Sequence, residues 1–370
     1  MSLWADKYRP KTLDDLDYHG KISNMLSSLA LSGDFPHLLF HGPSGAGKKT
    51  RILATLRQIY GPNIEKLKVD PKVFVTPTKR KLEFNVVSSP NHLEITPSDM
   101  NNNDRVVIQD LLKEVAQTET IDFTHVSEHK KNRFKVVIIN EAELLTRDAQ
   151  AALRRTMEKY SANIRLVLVC NSISSIIEPI KSRTLLIRVA APTDEEMGLV
   201  FEKVLKDQPE VAKSFPADET ERQQIYSKIA RVTDHNLRTG LLLLEALYSY
   251  NPSITIKTPM IMPDWENVIK KLAIGIVSER TVSKLQQSRS DLYELISHSI
   301  PAKLILKKLT IEFWRLVDED SKIKNTDTVK MDIVQQASIF DERLSLGSKD
   351  IFHLEGFITK VMVVLEKNVL

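Results

Sequence analysis

The chain has 370 residues, of which 42% are hydrophobic, only 6% aromatic and 27% charged, with 11 glycines. That balance excludes a fibre, a disordered tail and an all-β build, and it predicts a helix-rich globular protein too long for one core, with two or three domains. Fifty-two basic against 48 acidic residues leave a formal charge of +4, so any nucleic-acid surface must come from local placement of Lys and Arg rather than from a globally cationic chain.

Residues 1–8 lack the charged-then-apolar pattern of a signal peptide. No run approaches the roughly 18 apolar residues needed to span a bilayer, so an intracellular, reducing compartment without membrane contact is expected. The run 36–41 reads as a short apolar strand. It is followed by Gly42, Pro43, Ser44, Gly45, Ala46, Gly47, Lys48, Lys49 and Thr50, and then by a helical segment. Strand, glycine loop, lysine and helix come in the order of a phosphate-binding P-loop. The glycines let backbone N–H groups approach phosphate oxygens, the helix N-terminus adds positive potential, and Lys48 reaches the β- and γ-phosphates. His37 and His41 beside this strand read as strand-flanking residues rather than bases.

A second apolar strand, 134–139, ends in Asn140 and Glu141, where a P-loop ATPase carries its acidic Mg²⁺-positioning pair. A third, 165–170, contains the single cysteine, Cys170, which reads as a small buried hydrophobe, and ends in Asn171, a candidate phosphate sensor at a strand tip. Continuous apolar runs separated by helical patterns predict a parallel α/β sheet buried on both faces. After a last strand at 185–189, Pro192 opens a helical stretch that stops at Asn251-Pro252. A linker with Pro252, Pro259 and Pro263 leads to a helical region. Leu306, Leu309, Phe313, Leu316 and Val317, and then Leu354, Ile358, Val361 and Leu365, recur there at three- and four-residue steps. There is no internal repeat, and no metal site is expected from dispersed histidines and one cysteine.

Two positions depart from a hydrolytic P-loop. The residue after the lysine is normally Ser or Thr, whose hydroxyl ligates Mg²⁺, and here it is Lys49. Thr50 does not replace it, because one step along a helix turns the side chain by about 100°. The aspartate that supports the same ion from the second strand is Asn140. Loss of hydrolysis is therefore expected, with ADP or ATP retained and Mg²⁺ weakly held or absent. Glu141 remains as the residue type that orients water. A slow but ordinary ATPase stays open as the other reading.

The segment Trp4-Ala5-Asp6-Lys7-Tyr8-Arg9-Pro10 resembles the W-x-x-K-Y-R-P opening of replication factor C small subunits, the AAA+ subunits of sliding-clamp loaders. The P-loop, Asn140-Glu141-Ala142, the helix 148–158, Lys181-Ser182-Arg183-Thr184 and Asn236-Leu237-Arg238 extend the likeness along the whole chain. The altered metal positions and the long stretch 74–99 resemble one branch of that family. The resemblance implies an AAA+ domain over 1–190, a small helical lid over 191–251 and an all-helical collar over 252–370. It implies a nuclear subunit of a heteropentamer, with a large subunit and three other small subunits, that opens a PCNA-type clamp and loads it onto primer-template DNA.

Within that family Arg183 would be an arginine finger acting in trans on a neighbour's ATP, although the motif's cysteine is Thr184 here. Such fingers contribute about 10³–10⁵-fold in rate. A surface arginine capping a helix is the competing reading. Arg238 would be a second sensor reaching the phosphates from the lid. Trp4, Ala5, Tyr8, Arg9 and Pro10 would line the adenine side, unless Trp4 and Tyr8 are core anchors. Arg105 and Lys113 match family DNA contacts, with Gln109 and Leu111 where other subunits carry cations, and a solvated helix face explains both equally well. The basic loop 128–133 has no assigned role. An autonomous AAA+ ATPase acting on DNA and a scaffold with an empty pocket are the alternatives to a loader subunit.

Overall fold

The protein is described by a computed structural model over residues 3–75, 81–98, 103–117, 134–319, 325–347 and 349–368. The basic loop 128–133 lies outside the described residues. The chain divides into two compact units, 1–260 and 261–370.

The first unit opens with a short helix, α1 (Trp4–Lys7), and α2 (Gly20–Ser32), and then forms a seven-stranded sheet. Its strands are β1 (Leu38–His41), β2 (Lys68–Val75), β3 (Lys81–Ser88), β4 (His92–Ile95), β5 (Lys135–Ile139), β6 (Ile164–Cys170) and β7 (Leu185–Arg188). Their spatial order is β2-β3-β4-β5-β6-β1-β7. The five strands from β4 to β7 in that order run parallel, as the continuous apolar runs predict. The remaining two make the sheet mixed: β2 and β3 form an antiparallel ladder from Lys68 opposite Ser88 to Val75 opposite Lys81, joined antiparallel to β4.

The stretch 74–99 contains β3 and also β4, a parallel strand of the central sheet. In β3 the side chains alternate, with Phe84 and Val86 buried and Glu83 and Asn85 exposed, the pattern of a strand covered on one face.

Alternation also divides the core between the two faces of the parallel strands. Leu39, Val137, Ile139, Leu166 and Leu168 pack with Val107, Ile108, Leu111 and Leu112 of α4 (Asp104–Gln117) and Ala149 and Leu153 of α5 (Arg147–Lys159). Leu38, Phe40, Val136, Ile138 and Val167 pack on the other side with Leu26 of α2 and Ile52 and Leu56 of α3 (Lys48–Tyr60). Each buried Val, Leu, Ile or Phe among them contributes roughly 1.5–3 kcal/mol. Helices on both faces leave the carboxyl ends of β1, β4, β5 and β6 open along one edge, where ligands bind in open α/β sheets.

A four-residue helix, α6 (Glu178–Lys181), precedes β7, and four helices complete the unit: α7 (Asp194–Asp207), α8 (Pro209–Ala212), α9 (Glu219–Val232) and α10 (Leu237–Tyr250). Helix α7 starts at a capping box in which Thr193 accepts from the Glu196 N–H while the Glu196 carboxylate accepts from the Thr193 N–H. Helix α10 ends at Tyr250, just before the predicted Asn251-Pro252 stop.

The second unit is all-helical: α11 (Asp264–Ser278), α12 (Val282–Ser297), α13 (Ala302–Glu319), α14 (Thr326–Leu346) and α15 (Asp350–Asn368). The two predicted stripes enter its core. Leu306, Leu309, Phe313, Val317, Leu354, Ile358, Val361 and Leu365 are buried, with Leu316 packed at the margin. Phe357 sits between Phe313 and Phe340, each with its ring centroid 6.2 Å away.

Candidate functional site

The carboxyl end of β1 leads into the glycine loop, and Gly47 is the N-cap of α3. Gly45 has φ +75, and a Cβ there would lie 1.8 Å from the Asn236 side-chain oxygen. Gly47 has φ +82, and a Cβ there would lie 2.6 Å from the Tyr18 hydroxyl. Space and backbone conformation both require glycine at these two positions. The loop borders a cleft of about 510 Å³, a size that suits a nucleotide. Ser44, Gly45, Ala46, Gly47, Lys48, Lys49 and Thr50 line it, with Asn140, Glu141, Glu143 and Asn171 from the strand ends and Arg238 from the first turn of α10. Gly42 and Pro43 form the base of the loop, and their carbonyls accept from the Lys48 ammonium at 2.5 and 2.9 Å.

Lys48 is buried, and it also donates to Asn171 Oδ1 at 2.9 Å. Burial lowers its pKa, opposed by the negative charge of Glu143. Glu143 Oε1 accepts from the backbone and side-chain N–H groups of Asn171 at 3.0 and 2.8 Å. The amide of Asn171 is thereby turned with its oxygen toward Lys48. Burial likewise pushes the Cys170 thiol, at the end of β6, up to about 12, which leaves it protonated and inert near neutral pH.

Ala5, Tyr8, Arg9 and Pro10 line the cleft, and Arg9 pairs with Asp6 at 3.0 Å. Trp4 parts from the expectation. Its indole is buried and stacks on Tyr248 of α10 at 5.9 Å between ring centroids, and the backbone N–H of Trp4 donates to the Glu245 carboxylate at 3.0 Å. Apolar ring area is better covered against α10 than at the cleft, so Trp4 anchors the N-terminal segment and does not line the cavity.

A P-loop of this kind implies Mg²⁺ alongside a triphosphate, and the residues present do not fit that ion. The Lys49 ammonium forms an ion pair with Glu94 of β4. The Asn140 side-chain N–H₂ donates to the same Glu94 oxygen at 2.7 Å. A divalent cation would find no hydroxyl at 49 and no carboxylate at 140, and the one carboxylate between them is held by an ammonium. Glu141, with φ +50, is exposed and accepts from the Ser98 hydroxyl at 2.9 Å.

Arg183 lies just past the end of α6, away from the cleft lining. Its guanidinium pairs with Glu158 of α5 at 2.7 Å and donates to the Pro179 carbonyl at 2.9 Å. Thr184 donates its hydroxyl to the Ile180 carbonyl at 3.1 Å. On α4, Arg105, Gln109 and Lys113 are all exposed and four residues apart, so they form one row with an uncharged residue between two cations.

Residues 265–369 match the family described as Replication factor C subunit 3, C-terminal domain, and residues 18–193 match the family DNA polymerase III, delta subunit. Replication factor C subunit 5 of Saccharomyces cerevisiae is 52% identical over 369 residues, covering 99% of this chain and 100% of its own length. The Neurospora crassa subunit 5 is 50% identical over 366 residues, covering 99% and 98%. The chain belongs to the replication factor C subunits. The human subunit 3 is 42% identical over 367 residues, covering 99% of this chain and 97% of its own. A Thermotoga maritima RuvB structure aligns over 77% of this chain and 85% of its own at 14% identity, with a TM-score of 0.49.

Sequence alone assigns no role in the cleft to four residues of this replication factor C subunit that shape it. Glu94 and Glu143 are ordinary acidic residues until the sheet brings them to the phosphate loop. Asn236 reads as part of a motif, yet it also caps α10 by accepting from the Thr239 N–H at 3.2 Å while filling the space beside Gly45. Arg51 is fully buried in α3, donating to the Tyr18 and Ala46 carbonyls at 2.9 and 3.2 Å with its guanidinium over the Tyr18 ring. It pairs with no carboxylate among the described residues, so its charge adds to the positive potential beneath the loop.

Proposed function

We propose that this chain binds ADP or ATP without hydrolysing it and serves as one subunit of a nuclear clamp loader, which with a large subunit and three other small subunits loads a PCNA-type clamp onto primer-template DNA. The observation that carries this reading is a complete phosphate cradle around Lys48 beside a metal position occupied by the Lys49–Glu94–Asn140 cluster. The cradle supplies what binding needs: backbone N–H groups, the helix N-terminus of α3, the Lys48 ammonium and Asn171. Hydrolysis needs more, a cation that neutralises charge as it develops on the transferred phosphoryl group, and the residue types at 49 and 140 do not support one.

The chain's contribution to catalysis is then made on another chain. Arg183 stands at the end of α6 with its guanidinium resting on Glu158, an exposed ion pair of the kind that contributes about 1 kcal/mol or less and is readily exchanged for a phosphate. Arg238 reaches the cleft from α10 and serves the resident nucleotide. Arg105 and Lys113 meet DNA phosphates without reading sequence, and the uncharged Gln109 between them makes this grip a light one. Exposed Ile311, Trp314, Met331 and Phe352 in the second unit are consistent with a collar that packs against other subunits.

The test is a reconstituted loader whose remaining ATP sites are silenced, so that turnover reports only the site next to this subunit. Arg183→Ala should leave assembly intact and lower DNA-stimulated ATP turnover there by about 10³-fold or more. An unchanged rate removes the trans role.

A further inference from the structure

Glu94 lies on β4, next to the strand that ends in Asn140, and its side chain is only 9% exposed. A carboxylate at that depth is unfavourable unless its charge is matched and its oxygens receive donors. Both of its donors are the residues that break the P-loop pattern, Lys49 and Asn140. The three residues therefore work as one unit. With Ser or Thr at 49, Glu94 would lose its counter-charge, and with Asp at 140 two carboxylates would face each other across a hydrogen-bond distance. A dication resolves both conflicts in a hydrolytic site, and here an ammonium and an amide resolve them within the chain.

We infer that Lys49, fixed by Glu94 and Asn140, is a built-in replacement for the divalent metal, so that the cleft takes a nucleoside di- or triphosphate as the free anion and not as its Mg²⁺ complex. This rests on the reading of the cleft as a nucleotide site and adds to it the ionic form of the ligand. The Lys49 ammonium has three N–H donors, one of which goes to Glu94, and its side chain is about half exposed toward the cleft that Lys49 lines. Lys48, Arg238 and the first turn of α3 add the remaining positive charge that a phosphate chain requires. A Mg²⁺ carried in on the phosphates would instead meet that ammonium as a like charge.

The experiment titrates the full chain with ADP bearing a fluorescent ribose label, once in Mg²⁺ and once in EDTA. The affinity in EDTA should exceed that in millimolar Mg²⁺ by about threefold or more, because only the free anion is taken. An affinity unchanged or weakened on chelation overturns the inference. Failure to bind in either buffer removes the nucleotide reading itself, and this inference with it. The double variant Lys49→Thr with Asn140→Asp should acquire a metal dependence, binding about tenfold or more tightly in Mg²⁺ than in EDTA. Indifference to Mg²⁺ in that variant overturns the role given to these two residues. Should the double variant not fold, Lys49→Met serves instead. It removes the charged donor while keeping an apolar stem out to Cε, and it should weaken ADP binding in EDTA by about tenfold. Unchanged affinity overturns the proposal.

Discussion

At Gly45 the phosphate loop and the N-cap of α10 share the same few cubic ångströms. The Asn236 oxygen that caps α10 lies where a Gly45 side chain would be, so loop shape and helix start are coupled through one atom. Gly45→Ala would impose a left-handed backbone on a residue with a Cβ, at about 1–3 kcal/mol. It would also push aside a cap that contributes about 1 kcal/mol. The substitution should lower the chemical-denaturation midpoint of the first unit and weaken nucleotide binding together, whereas an unchanged midpoint would mean that the loop tolerates the side chain. The same closeness explains Lys48, whose ammonium is spread over two loop carbonyls and Asn171 and is held where phosphates would take those bonds over.

Elements built from local pattern were legible before the structure, and those built from distant pairing were not. The strand–glycine–lysine–helix order fixed β1 and α3 because each signal lies within a few residues of the next, and the apolar stripes of α13 and α15 fixed a helical core. Phe357→Ala should destabilise that core by about 3–5 kcal/mol, because the side chain is fully buried between two other rings. Trp265 and Trp314 lie in the second unit and report its denaturation by fluorescence, and a shift under about 1 kcal/mol would contradict the packing described. The antiparallel pair β2–β3 was not legible, since Lys68 and Asp70 are exposed and Lys72 half-buried, a polar pattern with no apolar run. Glu94 was missed because its partner Lys49 is 45 positions away, and the choice between adenine contact and core anchor for Trp4 stayed open because Glu245, which receives its backbone N–H, is 241 positions away.

Across the whole molecule, two compact units divide the work between a cleft-bearing sheet with its helices and a helical bundle with apolar side chains left on its surface. In the proposed function the chain keeps its nucleotide as a fixed part and acts on the site of a neighbour. That claim is tested most directly by incubating the isolated full chain with γ-labelled ATP and Mg²⁺ and recovering the bound and released label. Intact ATP should be recovered on the protein with no phosphate release above a protein-free control, and binding should be lost in Lys48→Ala. Phosphate release that depends on Mg²⁺ and disappears in Lys48→Ala would contradict it.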